Sequence, residues 1–232
     1  MKAVLLAAGK GDRLGEMTRV TPKVMIPING KPLIEWNIGL CKQHGITDIY
    51  INLYHLPHIV TDYLGNGERF GVTLTYAHEA KLMGTGGGVK QFSKSLQEAP
   101  FFVIYADNWS DYDLKLIRQH HKTTGAEMTI ALFHLEDVHL SGVAVMDNKD
   151  RILNFVEKPK TNFPPSHWVN AGIYLIEPHL LSQIPDGFCD FGQEIIPSWI
   201  KNKVHVAGIK MQEKVIPIDT PEQLEKAKIS DK

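Results

Sequence analysis

The chain has 232 residues, 25 Lys and Arg against 26 Asp and Glu, 43% apolar residues and 22% charged ones. Such a composition excludes disorder, collagen-like sequence and low-complexity tails, and the length suits one domain, residues 1–232, with a sizeable core. The balanced charge gives nucleic acid no basic footprint, yet a few placed cations could still hold a small anionic ligand. In chain order, Ala3–Leu6, Ile49–Leu53, Val72–Tyr76, Phe101–Tyr105 and Met128–Phe133 read as strands. Between them Pro32–His44, Pro57–Leu64, Gly88–Leu96 and Asp113–Thr123 carry apolar residues at helical spacing, with Pro32 and Pro57 as first-turn residues. The alternation predicts an α/β fold: a doubly wound, mainly parallel, Rossmann-like sheet. Val143–Met146, Ile152–Val156 and Ile173–Ile176 follow with little helix between them and predict a small antiparallel extension. Thr220-Pro221-Glu222-Gln223 combines a capping box with a first-turn proline and opens a last helix.

Cys41 and Cys189 stand far apart and form no CxxC, so neither a disulfide framework nor a zinc site is expected. The early apolar run Ala3–Ala8 is too short for a signal peptide or a bilayer span, which gives a cytoplasmic default and no membrane partner. The eleven histidines lack ligand spacing and read as surface or helix-cap residues.

The first strand runs into Ala7-Ala8-Gly9-Lys10-Gly11-Asp12-Arg13-Leu14-Gly15. Glycines at the carboxyl end of such a strand let backbone N–H groups approach phosphate oxygens. Gly9, Gly11 and Gly15 miss the G-x-G-x-x-G dinucleotide spacing, and no helix is expected before Thr21-Pro22. A Walker loop is absent both here and at Gly84–Lys90. Leu6-Ala7-Ala8-Gly9-x-Gly-x-Arg13-Leu14, followed by Thr21-Pro22-Lys23 and Lys31-Pro32-Leu33-Ile34, resembles the signature of the sugar-1-phosphate nucleotidylyltransferase family. Asp12 departs from the Thr or Ser usual in that family.

The resemblance implies that Leu6, Ala8, Gly9 and Gly11 wrap the nucleotide while Arg13 and Lys23 hold the triphosphate. Fixed cations there would stabilise the charge developing on departing pyrophosphate. Lys23→Ala is accordingly expected to cut turnover by orders of magnitude with the fold intact. Glu79 to Gly88, with Gly84, Thr85 and Gly86, resembles the family's nucleobase loop and is expected as a loop before a helix. Asp107, at the tip of the Phe101–Tyr105 strand, aligns with the family's Mg²⁺ aspartate, while Asp111 and Asp113 read as turn and N-cap residues. Glu157-Lys158-Pro159 and Asn170-Ala171-Gly172 resemble the acceptor segments, in which Glu157, Lys158, Asn170 and Gly172 would line the sugar-phosphate pocket.

The family's second metal aspartate aligns with Pro217, which leaves Asp219 either as its replacement after a local shift or as a helix starter. The activity implied is NTP plus sugar 1-phosphate giving nucleotide-sugar and pyrophosphate, in a monomer or small homo-oligomer. Gly84-Thr85-Gly86-Gly87 and Val169–Tyr174 resemble guanylyltransferases acting on mannose- or heptose-type 1-phosphates, a likeness that implies GTP. Three alternatives stand beside it. They are a UTP enzyme for N-acetylmuramate 1-phosphate, a phospho-alcohol cytidylyltransferase, and a catalytically silent binding subunit favoured by Pro217. The resemblance runs from about Lys2 to Glu222, so the chain is expected to be the transferase core alone.

Overall fold

A computed structural model describes residues 1–160 and 163–230. Strand β1 (Lys2–Leu6) opens the chain and passes through the glycine turn into helix α1 (Glu16–Val20). The hairpin β2 (Pro27–Ile28) and β3 (Lys31–Pro32) precedes α2 (Leu33–Gln43), β4 (Asp48–Leu53), α3 (Pro57–Leu64) and β5 (Thr73–His78). Then come α4 (Gly84–Lys90), β6 (Phe101–Tyr105), β7 (Asn108–Ser110), α5 (Leu114–Thr124) and β8 (Met128–His134). Strands β9 (Gly142–Met146), β10 (Ile152–Glu157) and β11 (Trp168–Ile176) follow without helices between them. Helix α6 (Ile196–Lys201), β12 (Val206–Lys210), β13 (Val215–Pro217) and α7 (Pro221–Ser230) complete the order.

The chain divides into two compact units and passes between them more than once. The first holds residues 1–82, 103–112 and those from Val215 onward. Here β4 pairs in parallel with β1 on one side and β5 on the other, in the order β6-β1-β4-β5. Ala3, Val4 and Leu5 are fully buried, as expected for a strand covered on both faces. Ile34 and Ile38 bury the apolar face of α2, each such burial contributing about 1.5–3 kcal/mol. A second cluster joins Leu14, Ile28, Trp109 and Ile218 to Leu224 and Ala227 of α7.

The second unit holds residues 83–102 and 113–214. Its strands run in the order β10-β9-β11-β8-β12, antiparallel except for the parallel pair β8–β12. Its core sets Tyr174 edge-to-face with Phe191 at 5.3 Å and Phe191 edge-to-face with Trp199 at 6.1 Å between ring centroids. The α/β class, the parallel strands and the antiparallel addition thus match the sequence expectation. Asp113 caps α5 by accepting from the Lys115 N–H.

Four details differ from that expectation. A five-residue helix, α1, does open before Thr21-Pro22, too short to show a periodic stripe. Pro32 is the N-cap of α2 rather than a first-turn residue. Gly84 to Gly88 lie inside α4, not in a loop before it, because packing overrides the poor helix propensity of glycine. His121 is buried, pairing Thr129 Oγ1 at 2.8 Å and Glu177 Oε1 at 3.2 Å, where surface or cap histidines were expected. Cys41 and Cys189 are buried free thiols. Among the described residues no helix is long and apolar enough to cross a membrane.

Candidate active site

The register that sets Leu6 opposite Asn52 also brings the next residue's N–H to the Asn52 side chain. Asn52 Oδ1 accepts from Ala7 N–H at 2.9 Å, and its amide donates to Glu79 Oε1 at 2.8 Å. The strand end is thereby fixed from β4, and the glycine turn starts from a rigid point. Gly11 adopts φ +73°, and a Cβ there would lie 2.8 Å from Thr18 Cγ2 and 3.1 Å from Lys23 Cβ. Only glycine meets both demands. Thr18 Oγ1 lies 3.0 Å from Gly11 O and 3.1 Å from Gly15 O, tying the turn to α1.

Lys23 begins the short 3-10 turn Lys23–Met25, and its side chain is only 5% exposed. Its Nζ donates to Asp107 Oδ2 at 2.7 Å and to Asp219 Oδ1 at 2.6 Å. Arg13, 57% exposed, adds a second cation on that Asp219 oxygen at 2.9 Å. Burial would lower the Lys23 pKa, but the two carboxylates outweigh it and hold the ammonium above its ordinary value. These residues, with Gly9 and Gly11, line a cleft of about 370 Å³.

Asp107 sits in the turn between β6 and β7, clamped from two sides. The Asn37 amide of α2 donates to the carbonyls of Ala106 and Asn108, both at 3.2 Å, and to Leu33 O at 3.1 Å. Ile218 N–H donates to Asp107 O at 3.0 Å. Strand β13 pairs with β7, setting Pro217 opposite Asn108, so the chain reaches Lys23 two residues later, at Asp219. Gln223 Oε1 accepts from Asp219 N–H at 3.0 Å and fixes that carboxylate at the start of α7. Asp219, rather than position 217, is therefore the acidic side chain beside Asp107. Two carboxylate oxygens converging on one cationic nitrogen are hard donors of the kind Mg²⁺ takes.

The remaining candidates lie in the second unit. A Cβ on Gly84 would fall 2.4 Å from Cys189 O, and one on Gly87 would fall 2.5 Å from Gly187 O. The Gly86 N–H donates to Cys189 O at 2.9 Å. Thr85 Oγ1 donates to Asp190 Oδ2 at 2.9 Å and accepts from Phe191 N–H at 2.8 Å. The glycine-rich segment is thus packed against residues 187–191.

Glu157 ends β10, and burial raises its carboxyl above the ordinary range, with Lys158 opposing and Asp190 adding to the shift. Lys158, at φ +50°, reaches within 3.8 Å of Glu157 Oε1. Asn170 and Gly172 form a bulge of β11, in which the Asn170 side chain accepts from Gly172 N–H and donates to Tyr174 OH. Sequence reading gave no role to Asn37, Asn52 or Thr18, since a lone polar residue on a helix or strand carries no pattern.

The model of the nucleotidyl transferase family matches residues 2–214. The chain belongs to that family. A UTP–glucose-1-phosphate uridylyltransferase from Synechocystis is 35% identical over 225 residues, covering 91% of this chain and 58% of the relative. A mannose-1-phosphate guanylyltransferase from Mycobacterium tuberculosis is 31% identical over 185 residues, covering 80% and 51%. The chain thus spans somewhat over half the length of these curated relatives. Among solved structures, a putative glucose-1-phosphate thymidylyltransferase from Bacillus anthracis in complex with a sucrose superposes with a TM-score of 0.88. It is 27% identical, and the match covers 99% of this chain and 94% of that one. This nucleotidyl transferase family member also shares its fold with HddC from Yersinia pseudotuberculosis, at a TM-score of 0.85 and 23% identity.

Proposed function

We propose that this protein transfers a nucleotidyl group from an NTP to a sugar 1-phosphate, releasing pyrophosphate. The observation that carries the reading is the Lys23 bridge between Asp107 and Asp219, with Arg13 alongside, at the end of β1 beside a glycine turn. In this reading a phosphate oxygen of the acceptor bonds to the α-phosphorus. The bond from that phosphorus to the oxygen bridging to the β-phosphate breaks, and its electron pair leaves on pyrophosphate. A phosphate monoester has a second pKa of about 6, so the nucleophile is already largely dianionic and needs no general base. The enzyme's work is alignment and charge neutralisation.

Arg13 and Lys23 take the negative charge of the β- and γ-phosphates. Main-chain groups of Leu6, Ala8, Gly9 and Gly11 follow the nucleotide. Mg²⁺, held by Asp107 and Asp219, would supply further charge neutralisation on the phosphates. Lys158 meets the sugar phosphate, and Glu157, Asn170 and Gly172 present groups to the sugar. Thr85 and Gly86 contribute shape rather than free donors, since Asp190 and Cys189 already engage them.

GTP is the favoured donor, from the Gly84-Thr85-Gly86-Gly87 pattern and the guanylyltransferase relatives. UTP is the second reading, favoured by the 35% identical uridylyltransferase. A pyrophosphate-release screen of four NTPs against a panel of sugar 1-phosphates with Mg²⁺ tests both. Release with one pair is expected. Nucleotide binding without release across the panel would overturn the catalytic reading in favour of a binding subunit.

A further inference from the structure

Four charged side chains, two cationic and two anionic, meet at one spot in the first unit. Lys23 Nζ stands 2.6 Å from Asp219 Oδ1 and 2.7 Å from Asp107 Oδ2, and Arg13 reaches the same Asp219 oxygen at 2.9 Å. The Lys23 side chain is 5% exposed, whereas the two carboxylates are 34% and 22% exposed. The ammonium therefore fills the point at which one oxygen from each carboxylate converges. A divalent ion using the same oxygens would meet a like charge at contact distance, where Coulomb repulsion is steepest.

We propose that Lys23 keeps the cation position closed in the nucleotide-free protein, so that a divalent ion gains both carboxylates only after a polyphosphate has drawn the ammonium away. The inference rests on reading Asp107 and Asp219 as the metal ligands. It orders ligand entry: the ion arrives with the triphosphate or after it, not before. The exchange keeps every charge paired. Lys23 trades two carboxylates for phosphate oxygens, and the carboxylates trade the ammonium for the ion, so none is left buried alone. A lysine suits the task because its point charge rides on a flexible four-carbon stem. Arg13, 57% exposed, adds a second cation on the Asp219 oxygen that Lys23 already holds and so reinforces the closure.

The test titrates Mn²⁺ alone into the nucleotide-free protein, followed by electron paramagnetic resonance, for the wild type, Lys23→Met and Lys23→Arg. Lys23→Met is expected to bind Mn²⁺ at least about tenfold more tightly than the wild type, the removed repulsion being that of one unit charge at contact. Lys23→Arg, which keeps the charge, is expected to bind as weakly as the wild type. Adding Asp107→Asn to Lys23→Met should erase the gain. Should Lys23→Met be unfolded alone, recovery of its circular dichroism on adding Mn²⁺ supports the proposal, and no recovery at any concentration overturns it. Equal Mn²⁺ affinity of folded Lys23→Met and wild type also overturns it. The pyrophosphate-release screen on the wild type reads the function separately. Release with equal Mn²⁺ affinities sinks the closure alone; tighter binding by Lys23→Met without release sinks the function alone.

Discussion

The two glycine-rich segments look alike as text and answer to different physics. Gly9 to Gly15 follow a strand in the first unit and leave backbone along a charged cleft. There, glycine is demanded at Gly11 by a left-handed φ and by the closeness of Thr18 and Lys23. Gly84 to Gly88 form part of a helix in the second unit, and Cβ atoms on Gly84, Gly86 and Gly87 would strike Cys189, Ile195 and Gly187. In the first segment Gly9 and Gly15 face open space and only Gly11 is crowded, whereas in the second three glycines are closely packed. Substitutions should therefore separate activity from stability according to segment.

The largest separation is expected at Arg13. Arg13→Ala removes an exposed cation, and turnover should fall about 10²–10³-fold, as for loss of one charge-stabilising donor, with an unchanged melting temperature. A matching loss of melting temperature would make Arg13 structural and break the contrast. Gly84→Ala should behave in the opposite way. Its φ of +72° and the Cys189 carbonyl 2.4 Å from the added Cβ should cost about 3 kcal/mol of stability, read by urea unfolding. Wild-type stability in that variant would show that α4 can shift away from Cys189.

Asn37→Ala is intermediate. It strips the shared donor from the Ala106 and Asn108 carbonyls, which should cost about 1–3 kcal/mol. Because that turn carries Asp107, it should also raise the Mg²⁺ concentration needed for half-maximal activity. A loss of stability with unchanged Mg²⁺ dependence would restrict Asn37 to packing.

The smallest effect concerns pH and the second unit. Burial lowers the His121 pKa from 6.5, although Glu177 opposes the shift. The unfolded chain then binds more protons than the folded one just below pH 6.5, so stability should decline as pH falls from there toward the folded pKa. Melting temperatures between pH 7.5 and 5.5 should show a steeper fall for wild type than for His121→Gln. Parallel curves would remove His121 from the acid response.

Lys23→Ala illustrates how far sequence alone reaches. Read as a loop residue, Lys23 could be truncated with the fold intact. It is buried between two partly exposed carboxylates, and its truncation would leave Asp107 without this partner and Asp219 with Arg13 alone, so stability should fall along with turnover. The β-branched and apolar runs of β1 and β4 were legible because parallel strands covered on both faces read as continuous apolar text. Strand β12 was not, since Gly208 interrupts it at a point where Met146 and Leu132 crowd out a Cβ. Asp219 was legible as a candidate companion of Asp107, but the text left a helix starter equally open. Its position depends on β13 pairing with β7, a long-range fact that no local spacing encodes.

Lys23 and Asp219 are separated by 196 residues. At ribosomal speeds of about 5–20 residues per second, Lys23 waits roughly 10–40 s for that partner to be made. Asp107 is made after only 84 residues, so for the rest of that interval the ammonium has one of its two carboxylates and lacks the second. Closure of this charge pair is thus a late assembly event. A chain halted before residue 219 would hold the glycine turn, Arg13, Lys23 and Asp107 without the carboxylate that completes their cleft.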